Sequence, residues 1–474
     1  MKVLLINPTQ DNPAMRGPHK IVLNEAGIYP PCGLLHLATF EVLRGKHEVK
    51  ILDSIAEGLN LEEIKKRILE EKPDVVGVTL TTLYLGDGYR IVKLVKEISK
   101  EIITVVGGPH LSLYPKETIN WPDVDIAICG EAEYSFAEVL DRLSKKLPIE
   151  KLSDIPGVLT KFNYEKPACK LQIEDIDSLP IVNHRLVPYK KYFSILTEDN
   201  PVTVIMTSRG CPFNCAYCPQ AGTKVRKRSA KKVADEIQQC LDMGIKDILF
   251  FDELFTLEHN RVKELCNEFL SRGLKFRWHC RTRIKDVDKE IIYLMKKAGC
   301  RLIQFGIESG TERIQKIMHK NLNLNKVREV IKMVRDAGIL TYGNFMLGSP
   351  TETFEEMNKT IEFAMELKLD FAVFAVTHLI PKTEYHTMAL KEGKWKEDVW
   401  EKYVRYPVEP IENIYWPDFD KNLLEKYCNN AYVRFYLRPW YIYNYIKRIM
   451  SPTQILNHFN SLTGILTKLT SRNY

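Results

Sequence analysis

The sequence predicts an α/β protein built from two successive series of parallel strands with crossover helices, followed by a mainly helical tail. Three observations predict it. Over residues 1–150 short β-branched runs alternate with amphipathic stretches, and a second series of six such units begins near Val202. Between them Pro156, Pro167, Pro180, Pro188 and Pro201 interrupt any periodicity. At 474 residues the chain also exceeds what one hydrophobic core organises. The domains that follow are 1–150, a linker over 151–200, a second domain over 201–395 and a C-terminal aromatic and basic helical region over 396–474.

In the first series the strands expected over 2–7, 48–53, 75–79, 102–106 and 126–129 each end in loop-forming or ligand-ready residues. These are Asn7-Pro8, Asp53-Ser54, Thr79-Leu80-Thr81-Thr82, Gly107-Gly108-Pro109-His110 and Gly130-Glu131. An open parallel sheet binds its ligand at the carboxyl ends of its strands, so this half reads as a flavodoxin-like (Rossmann-type) binding domain. In the second series strands are expected over 202–207, 247–251, 275–279, 302–306, 340–347 and 371–377, with helices over 230–243, 262–271, 289–298, 326–337 and 353–367. Six βα units fit a partial (β/α)6 barrel better than a second open sheet, and barrel chemistry also sits at the carboxyl ends of strands.

With 45% hydrophobic and 27% charged residues the composition is that of a soluble globular protein. No apolar run approaches the roughly 18 to 20 residues of a membrane span. The start, Met1-Lys-Val-Leu-Leu-Ile-Asn-Pro, is too short in apolar length for a secretory signal, so a cytoplasmic location is expected. Most of the eleven cysteines are solitary, which agrees with a reducing compartment. The exception is Cys211-Pro-Phe-Asn-Cys215-Ala-Tyr-Cys218, in the loop after the first strand of the second series. Three thiolates on one short loop suit an iron–sulfur cluster, because soft sulfur matches iron. A four-iron (4Fe-4S) cluster held by Cys211, Cys215 and Cys218 keeps one iron open to chelate the amino and carboxylate groups of S-adenosylmethionine (SAM). A zinc knot would recruit Cys240 or a nearby His instead; such modules usually show a second close pair of ligands, and this sequence has none.

The cysteine spacing, with Tyr217 before the last cysteine, resembles the radical SAM superfamily signature, and the six βα units resemble its partial barrel. The resemblance implies cleavage of SAM to a 5′-deoxyadenosyl radical that abstracts hydrogen, the protein supplying position. It places Tyr217 near the adenine, Asp252 and Glu253 after the second barrel strand toward the SAM amino group, Arg281 after the third, and Glu308 and Ser309 of Gly306-Ile-Glu-Ser-Gly310 toward the ribose and methionine moieties. Gly343–Glu352 fits the fifth strand end. Each also has an ordinary reading: a helix N-terminal charge pair for Asp252 and Glu253, a salt bridge for Glu308, solvation for Arg281. The superfamily's usual Pro-Gly-Thr after the last strand is here Pro381-Lys382-Thr383.

A flavodoxin-like domain ahead of such a barrel resembles the cobalamin-binding subgroup, which holds methyltransferases and anaerobic porphyrin-ester oxidative cyclases. Thr79, Thr81, Gly107, Gly108, Gly130 and Glu131 are then the cobalamin contacts. Many cobalamin proteins carry Asp-x-His-x-x-Gly after the first strand, and its His ligates cobalt. Here that loop reads Asn7-Pro-Thr-Gln-Asp-Asn-Pro, which leaves His110 as a substitute ligand or as an ordinary hydrogen-bonding histidine. A domain that binds nothing, or another nucleotide, is the rival reading.

The net charge of +7 is concentrated at the end: residues 421–474 hold eight Lys or Arg against Glu425 alone, interleaved with aromatics. Such a segment suits a lid packed on the barrel or a peripheral contact with anionic lipid at the inner face of the membrane; nucleic acid is the third reading. The expected function is cobalamin-dependent methyl transfer to an unactivated carbon or phosphorus centre of a small or lipid-like substrate. The cofactors are the 4Fe-4S cluster, SAM and cobalamin, with ferredoxin or flavodoxin as electron donor. Oxidative cyclisation and a cobalamin-sensing scaffold with a structural cluster are the alternatives. No side chain is assigned a catalytic role.

Overall fold

Parallel strands require a crossover to return the chain, and both series fold in that way. The computed structural model describes residues 1–10, 27–164, 171–408, 411 and 414–448, with the backbone alone for 445–448. Two compact units result. The first contains β1 (Lys2–Asn7), α1 (Cys32–Arg44), β2 (Glu48–Asp53), α2 (Leu61–Glu71), β3 (Val75–Thr79), α3 (Leu85–Ile98), β4 (Ile103–Gly107), β5 (Ile126–Ile128), α4 (Glu133–Ser144) and β6 (Val158–Leu159). Its strand order is β2-β1-β3-β4-β5-β6, parallel except for the last pair. The order reverses between β1 and β3, which is the switch point where such sheets open a crevice. The strands are nearly continuous apolar runs because helices cover both faces, and Leu5, Val75, Val105 and Ile126 form the core with Phe136 and Leu140 of α4.

The segment from Asp398 also belongs to this first unit, so the C-terminal region expected over 396–474 is divided. Its short helix Val399–Arg405 is capped by the Asp398 carboxylate, which accepts from the N–H of Trp400 and Glu401. Trp400 is fully buried. The Tyr403 hydroxyl accepts from Gly86 N–H at 3.1 Å, and Trp121 Nε1 donates to the Val404 carbonyl at 2.8 Å.

The second unit holds six strands in sequential parallel order: β7 (Val202–Ile205), β8 (Asp247–Phe250), β9 (Arg277–Thr282), β10 (Cys300–Glu308), β11 (Leu340–Leu347) and β12 (Phe371–Val376). The intervening helices are α5 (Ala230–Asp242), α6 (His259–Ser271), α7 (Lys289–Lys297), α8 (Leu324–Asp336) and α9 (Phe354–Glu366), the last begun by a Thr353–Glu356 capping box. The strand expected over 275–279 starts two residues later and runs to Thr282, with a register irregularity at Trp278/His279. Along β11 half-exposed Tyr342, Asn344 and Met346 alternate with buried Thr341, Phe345 and Leu347. Helices cover one set; the other lines a lumen that stays open.

An unclosed barrel leaves a strand edge whose backbone groups need partners. At β12 tyrosines supply them. Helices α10 (Glu384–Lys391), α11 (Lys421–Tyr436) and α12 (Pro439–Arg448) follow the strand. The Tyr436 hydroxyl donates to the Ala372 carbonyl at 2.8 Å and accepts from its N–H at 3.1 Å. Tyr432 accepts from Phe374 N–H at 3.3 Å, and Tyr441 donates to the Asp370 carbonyl at 3.0 Å. The basic residues behave likewise: Arg434 donates to Asn358 Oδ1, and Arg438 to the carbonyls of Phe435 and Met365. Among the described residues no helix is long and apolar enough to cross a membrane. The side chains of Lys447 and Arg448, and Lys468 and Arg472 altogether, lie outside the described residues.

Two stability predictions follow from these contacts. Tyr436→Phe strands both Ala372 groups and lowers stability by about 1–3 kcal/mol, read as a reduced unfolding midpoint; Tyr293→Phe, at a side chain 71% exposed, leaves the midpoint unchanged. Beyond β11, Glu352 Oε2 accepts from the N–H of Gly348 and Ser349, while Oε1 is buried without a partner. Burial pushes its carboxyl from 4.5 up to about 7. A raised carboxyl contributes stability that is full below pH 4.5 and lost as pH rises toward 7. Glu352→Gln removes this decline, about 3 kcal/mol across the window, in pH-dependent denaturation.

Candidate active site

The cysteine loop follows β7 and closes on itself. Cys211 N–H donates to Thr223 Oγ1 and Thr223 N–H to the Cys211 carbonyl, both at 2.8 Å, and Gly222 N–H donates to the Phe213 carbonyl at 3.0 Å. Its middle is fixed from two sides, since Ala216 N–H donates to the Met318 carbonyl and Tyr385 N–H to that of Ala216. Cys211, Cys215 and Cys218 are half-buried and unbridged. Burial raises the Cys211 and Cys218 thiols, and the neighbouring cysteines add to the rise. Bound iron reverses that preference by taking the place of the protons. Among the described residues no three His, Cys, Asp or Glu side chains converge as the ligands of a single ion would. Thiolates of a four-iron cluster each take a separate iron and need no such convergence. The donor set and the pinned loop thus fit a cluster with three cysteine ligands.

Next to this loop stands the end of β10. The Tyr217 hydroxyl donates to Glu308 Oε1 at 3.2 Å, and Lys320 Nζ lies 3.2 Å from the same oxygen and 2.9 Å from the Gly306 carbonyl. Glu308 holds a left-handed backbone, φ 66°, which costs a non-glycine residue free energy and is typical of functional sites. Gly306 makes room for the pair: a Cβ there would lie 2.5 Å from Glu308 Oε1 and 2.7 Å from Lys320 Nζ. Burial holds the Tyr217 hydroxyl well above its ordinary pKa, so it remains a donor.

The other residues assigned to SAM divide into two kinds. Arg281 is half-exposed, with its guanidinium 4.2 Å over the Phe251 ring. Glu253 approaches the Gly210 N–H, and burial raises its carboxyl. Asp252 is fully buried and occupied: it accepts from Thr207 N–H at 2.6 Å, Thr207 Oγ1 at 2.5 Å and Ser208 Oγ at 2.8 Å. It therefore clamps the end of β7 rather than presenting a carboxylate, and it begins no helix. Ser309 is also fully buried, its hydroxyl shared with Thr360 of α9 at 3.2 Å and with Thr311. In the lumen Gln304 Nε2 donates to Asn344 Oδ1 at 3.1 Å. Lys382 takes the left-handed conformation, φ 60°, that glycine would supply in Pro-Gly-Thr, so the turn survives the substitution. Lys320 and Arg283, both buried beside the cysteine loop, were not signalled by sequence, because a lone basic residue in a loop carries no spacing.

In the first unit Thr79 ends β3 at the switch point, half-exposed, and Thr81 is exposed. The glycines differ among themselves. A Cβ on Gly107 would meet nothing nearer than 3.9 Å. On Gly108 (φ 98°) it would lie 2.8 Å from both the Leu80 carbonyl and Thr79 Oγ1, and on Gly130 (φ 88°) 2.4 Å from the Leu171 carbonyl. The last two are demanded by the chain's own backbone; Gly107 is not, since a Cβ there would make only an ordinary contact. Glu131 Oε2 accepts from Ile173 N–H at 2.7 Å and ties down the linker. His110 is fully buried, with Nδ1 3.1 Å from Thr82 Oγ1 and Nε2 3.1 Å from Thr118 Oγ1. Both ring nitrogens are engaged, which removes it as a cobalt ligand. The exposed threonines and Gly107 at the crevice fit a cobalamin that takes no ligand from this histidine.

Residues 205–364 match the radical SAM superfamily, and residues 18–140 the B12 binding domain. An uncharacterized methyltransferase of Pyrococcus horikoshii is 34% identical over 447 residues, covering 93% of each chain. The anaerobic magnesium-protoporphyrin IX monomethyl ester cyclase of Rubrivivax gelatinosus is 27% identical, covering 79% of this chain and 68% of its own. The cytidylyl-2-hydroxyethylphosphonate methyltransferase of Streptomyces wedmorensis is also 27% identical, covering 77% and 78%. Among solved structures the fold is shared with TsrM of Kitasatospora setae, a radical SAM methyltransferase with cobalamin and a [4Fe-4S] cluster bound (TM-score 0.66, 20% identity, 82% of this chain and 78% of that one). The chain belongs to the cobalamin-binding radical SAM family, and its cofactors are a 4Fe-4S cluster, SAM and cobalamin.

Proposed function

We propose that this enzyme transfers a methyl group to an unactivated carbon or phosphorus centre of a small-molecule substrate held in the barrel lumen. The observation that carries the reading is the cysteine loop pinned after the first strand of a six-stranded parallel barrel, in a chain whose other unit ends its strands in half-exposed Thr79 and exposed Thr81. When bound, cluster and SAM supply a carbon-centred radical, and cobalamin carries the methyl group. Cys211, Cys215 and Cys218 hold the cluster. Tyr217 is fixed by Glu308, and Lys320 balances that carboxylate, so the adenosyl side of the site is ordered before SAM arrives. In the lumen Gln304 and Asn344 are neutral amides suited to orient a polar substrate group without exchanging protons. Arg281, half-exposed near the end of β9, is a cation suited to a carboxylate or phosphoryl group.

A one-electron donor such as ferredoxin or flavodoxin reduces the cluster. Peripheral lipid contact receives less support than the lid reading, because Arg434 and Arg438 are bonded into the barrel unit. Oxidative ring closure is the second reading, favoured by the likeness to the protoporphyrin ester cyclase.

After anaerobic reconstitution, Cys215→Ala loses most of its iron and sulfide and releases no 5′-deoxyadenosine; retention of both would refute the ligand assignment, and absence of 5′-deoxyadenosine from the wild type would favour the scaffold alternative. Incubation with methyl-labelled SAM puts label in the product of a methyltransferase, and unlabelled product decides for ring closure. Gly107→Ala, whose Cβ would meet the Ile128 carbonyl at 3.9 Å, an ordinary contact, keeps the cluster and the unfolding midpoint yet weakens the cobalamin absorbance retained after desalting. Undiminished absorbance would move the macrocycle elsewhere.

A further inference from the structure

Arg283 follows β9 and is only 8% exposed. Its guanidinium carbon lies 3.6 Å from the centroid of the Phe213 ring, inside the cysteine loop between Cys211 and Cys215. One nitrogen, Nη2, donates to the Lys320 carbonyl at 3.3 Å. The other two, Nε and Nη1, are buried and have no hydrogen-bond partner. A buried guanidinium with unmet donors costs several kcal/mol unless an anion faces it. Asp286 feels the charge, but its buried Oδ2 makes no hydrogen bond either, so that carboxylate does not satisfy the arginine. The Cys211 sulfur feels it too. The second buried cation nearby, Lys320, is already spent on Glu308 and the Gly306 carbonyl. Arg283 is therefore, among the described residues, a buried cation beside this loop with donors to spare.

We infer that Arg283 is a positioning residue for the cluster: its Nε–H and Nη1–H donate to sulfur of the cluster or of Cys211, and its charge makes the cluster easier to reduce. The inference rests on the three cysteines being the cluster ligands. Thiolate-held clusters become more negative on reduction, and hydrogen bonds and net charge around the sulfurs are established determinants of their potential. The step affected is a single electron transfer: the external one-electron donor is oxidised, the cluster is reduced, and no bond is made or broken. Phe213 holds the guanidinium against the loop through the face of its ring, at 3.6 Å, a contact that a lysine's ammonium would make without the fork of donors.

The test is a redox titration of the full-length, anaerobically reconstituted protein, followed by the paramagnetic resonance of the reduced cluster in the absence of SAM, with iron and sulfide measured in every sample. In Arg283→Gln the midpoint moves to more negative potential by at least a tenfold change in the reduction equilibrium, 59 mV for one electron. Arg283→Lys recovers part of that shift, because it restores charge without the fork of donors. Phe213→Leu shifts in the same direction by less, and Arg272→Gln, at the residue that ends α6 in a surface pair with Asp235, does not shift. A wild-type midpoint in Arg283→Gln at full iron content overturns the inference, as does a shift seen only after SAM is added, which would assign the arginine to SAM instead. If Arg283→Gln assembles no cluster, Phe213→Leu decides, and a wild-type midpoint there is fatal. Failure of the cysteine assignment is read separately, as wild-type protein whose iron is unaffected by Cys215→Ala.

Discussion

Everything in the barrel unit depends on the parallel direction of its six strands. Each helix returns the chain to the same end, so every β-to-α loop emerges at one rim. Residues far apart in sequence then meet: Tyr217 reaches Glu308 across 91 positions and Thr207 reaches Asp252 across 45. The cost of this arrangement is an edge that never closes, and the chain meets it with side chains rather than a seventh strand. Tyr432 and Tyr436 offer hydroxyls to Phe374 and Ala372 of β12 and Tyr441 to Asp370 just before it, alternate positions at the spacing at which an edge strand presents its unpaired groups. The aromatic richness of the C-terminal segment is thereby an answer to a backbone problem.

What the sequence revealed follows from the range of the interactions involved. Strand and helix positions come from local periodicity, and most were legible to within a residue or two; the end of β9 was missed where its register slips at Trp278. The cysteine loop was legible because three cysteines within eight residues make a local signal. The tyrosine ladder, Lys320 and Arg283 were not, since each is defined by a partner on another element. The segment after Asp398 was misplaced for the same reason: nothing in its composition says that Trp400 and Tyr403 pack into the first unit.

Polar residues at strand ends illustrate a second limit. From sequence, Asp252 and Ser309 are indistinguishable from Glu308 and Arg281, all polar and all at carboxyl ends. The structure separates them by what they already hold. Asp252 accepts three hydrogen bonds from the end of β7, and Ser309 braces β10 against α9, so both spend their capacity on the wall. The same separation applies to the glycines of the first unit: Gly108 and Gly130 are required by neighbouring backbone, while Gly107 is not. Capacity already spent on the wall marks a strand-end residue as structural more surely than polarity or glycine content marks one as a ligand.

That criterion bears on how the cysteine loop is kept in place. Its backbone is pinned by Thr223, Met318 and Tyr385, yet its interior holds half-buried thiols and, alongside, an arginine with two buried donors unmet. In the chain by itself these groups are a liability: burial raises the thiols, and two of the guanidinium's nitrogens have no acceptor among the described residues. An anionic cluster on this loop would meet both demands at once, its iron taking the place of the thiol protons and its sulfurs offering acceptors to the arginine. Groups that are costly without a cofactor and satisfied with it couple binding to local stability. The wall residues around them, saturated by their own neighbours, keep the loop ready for the cluster without depending on it.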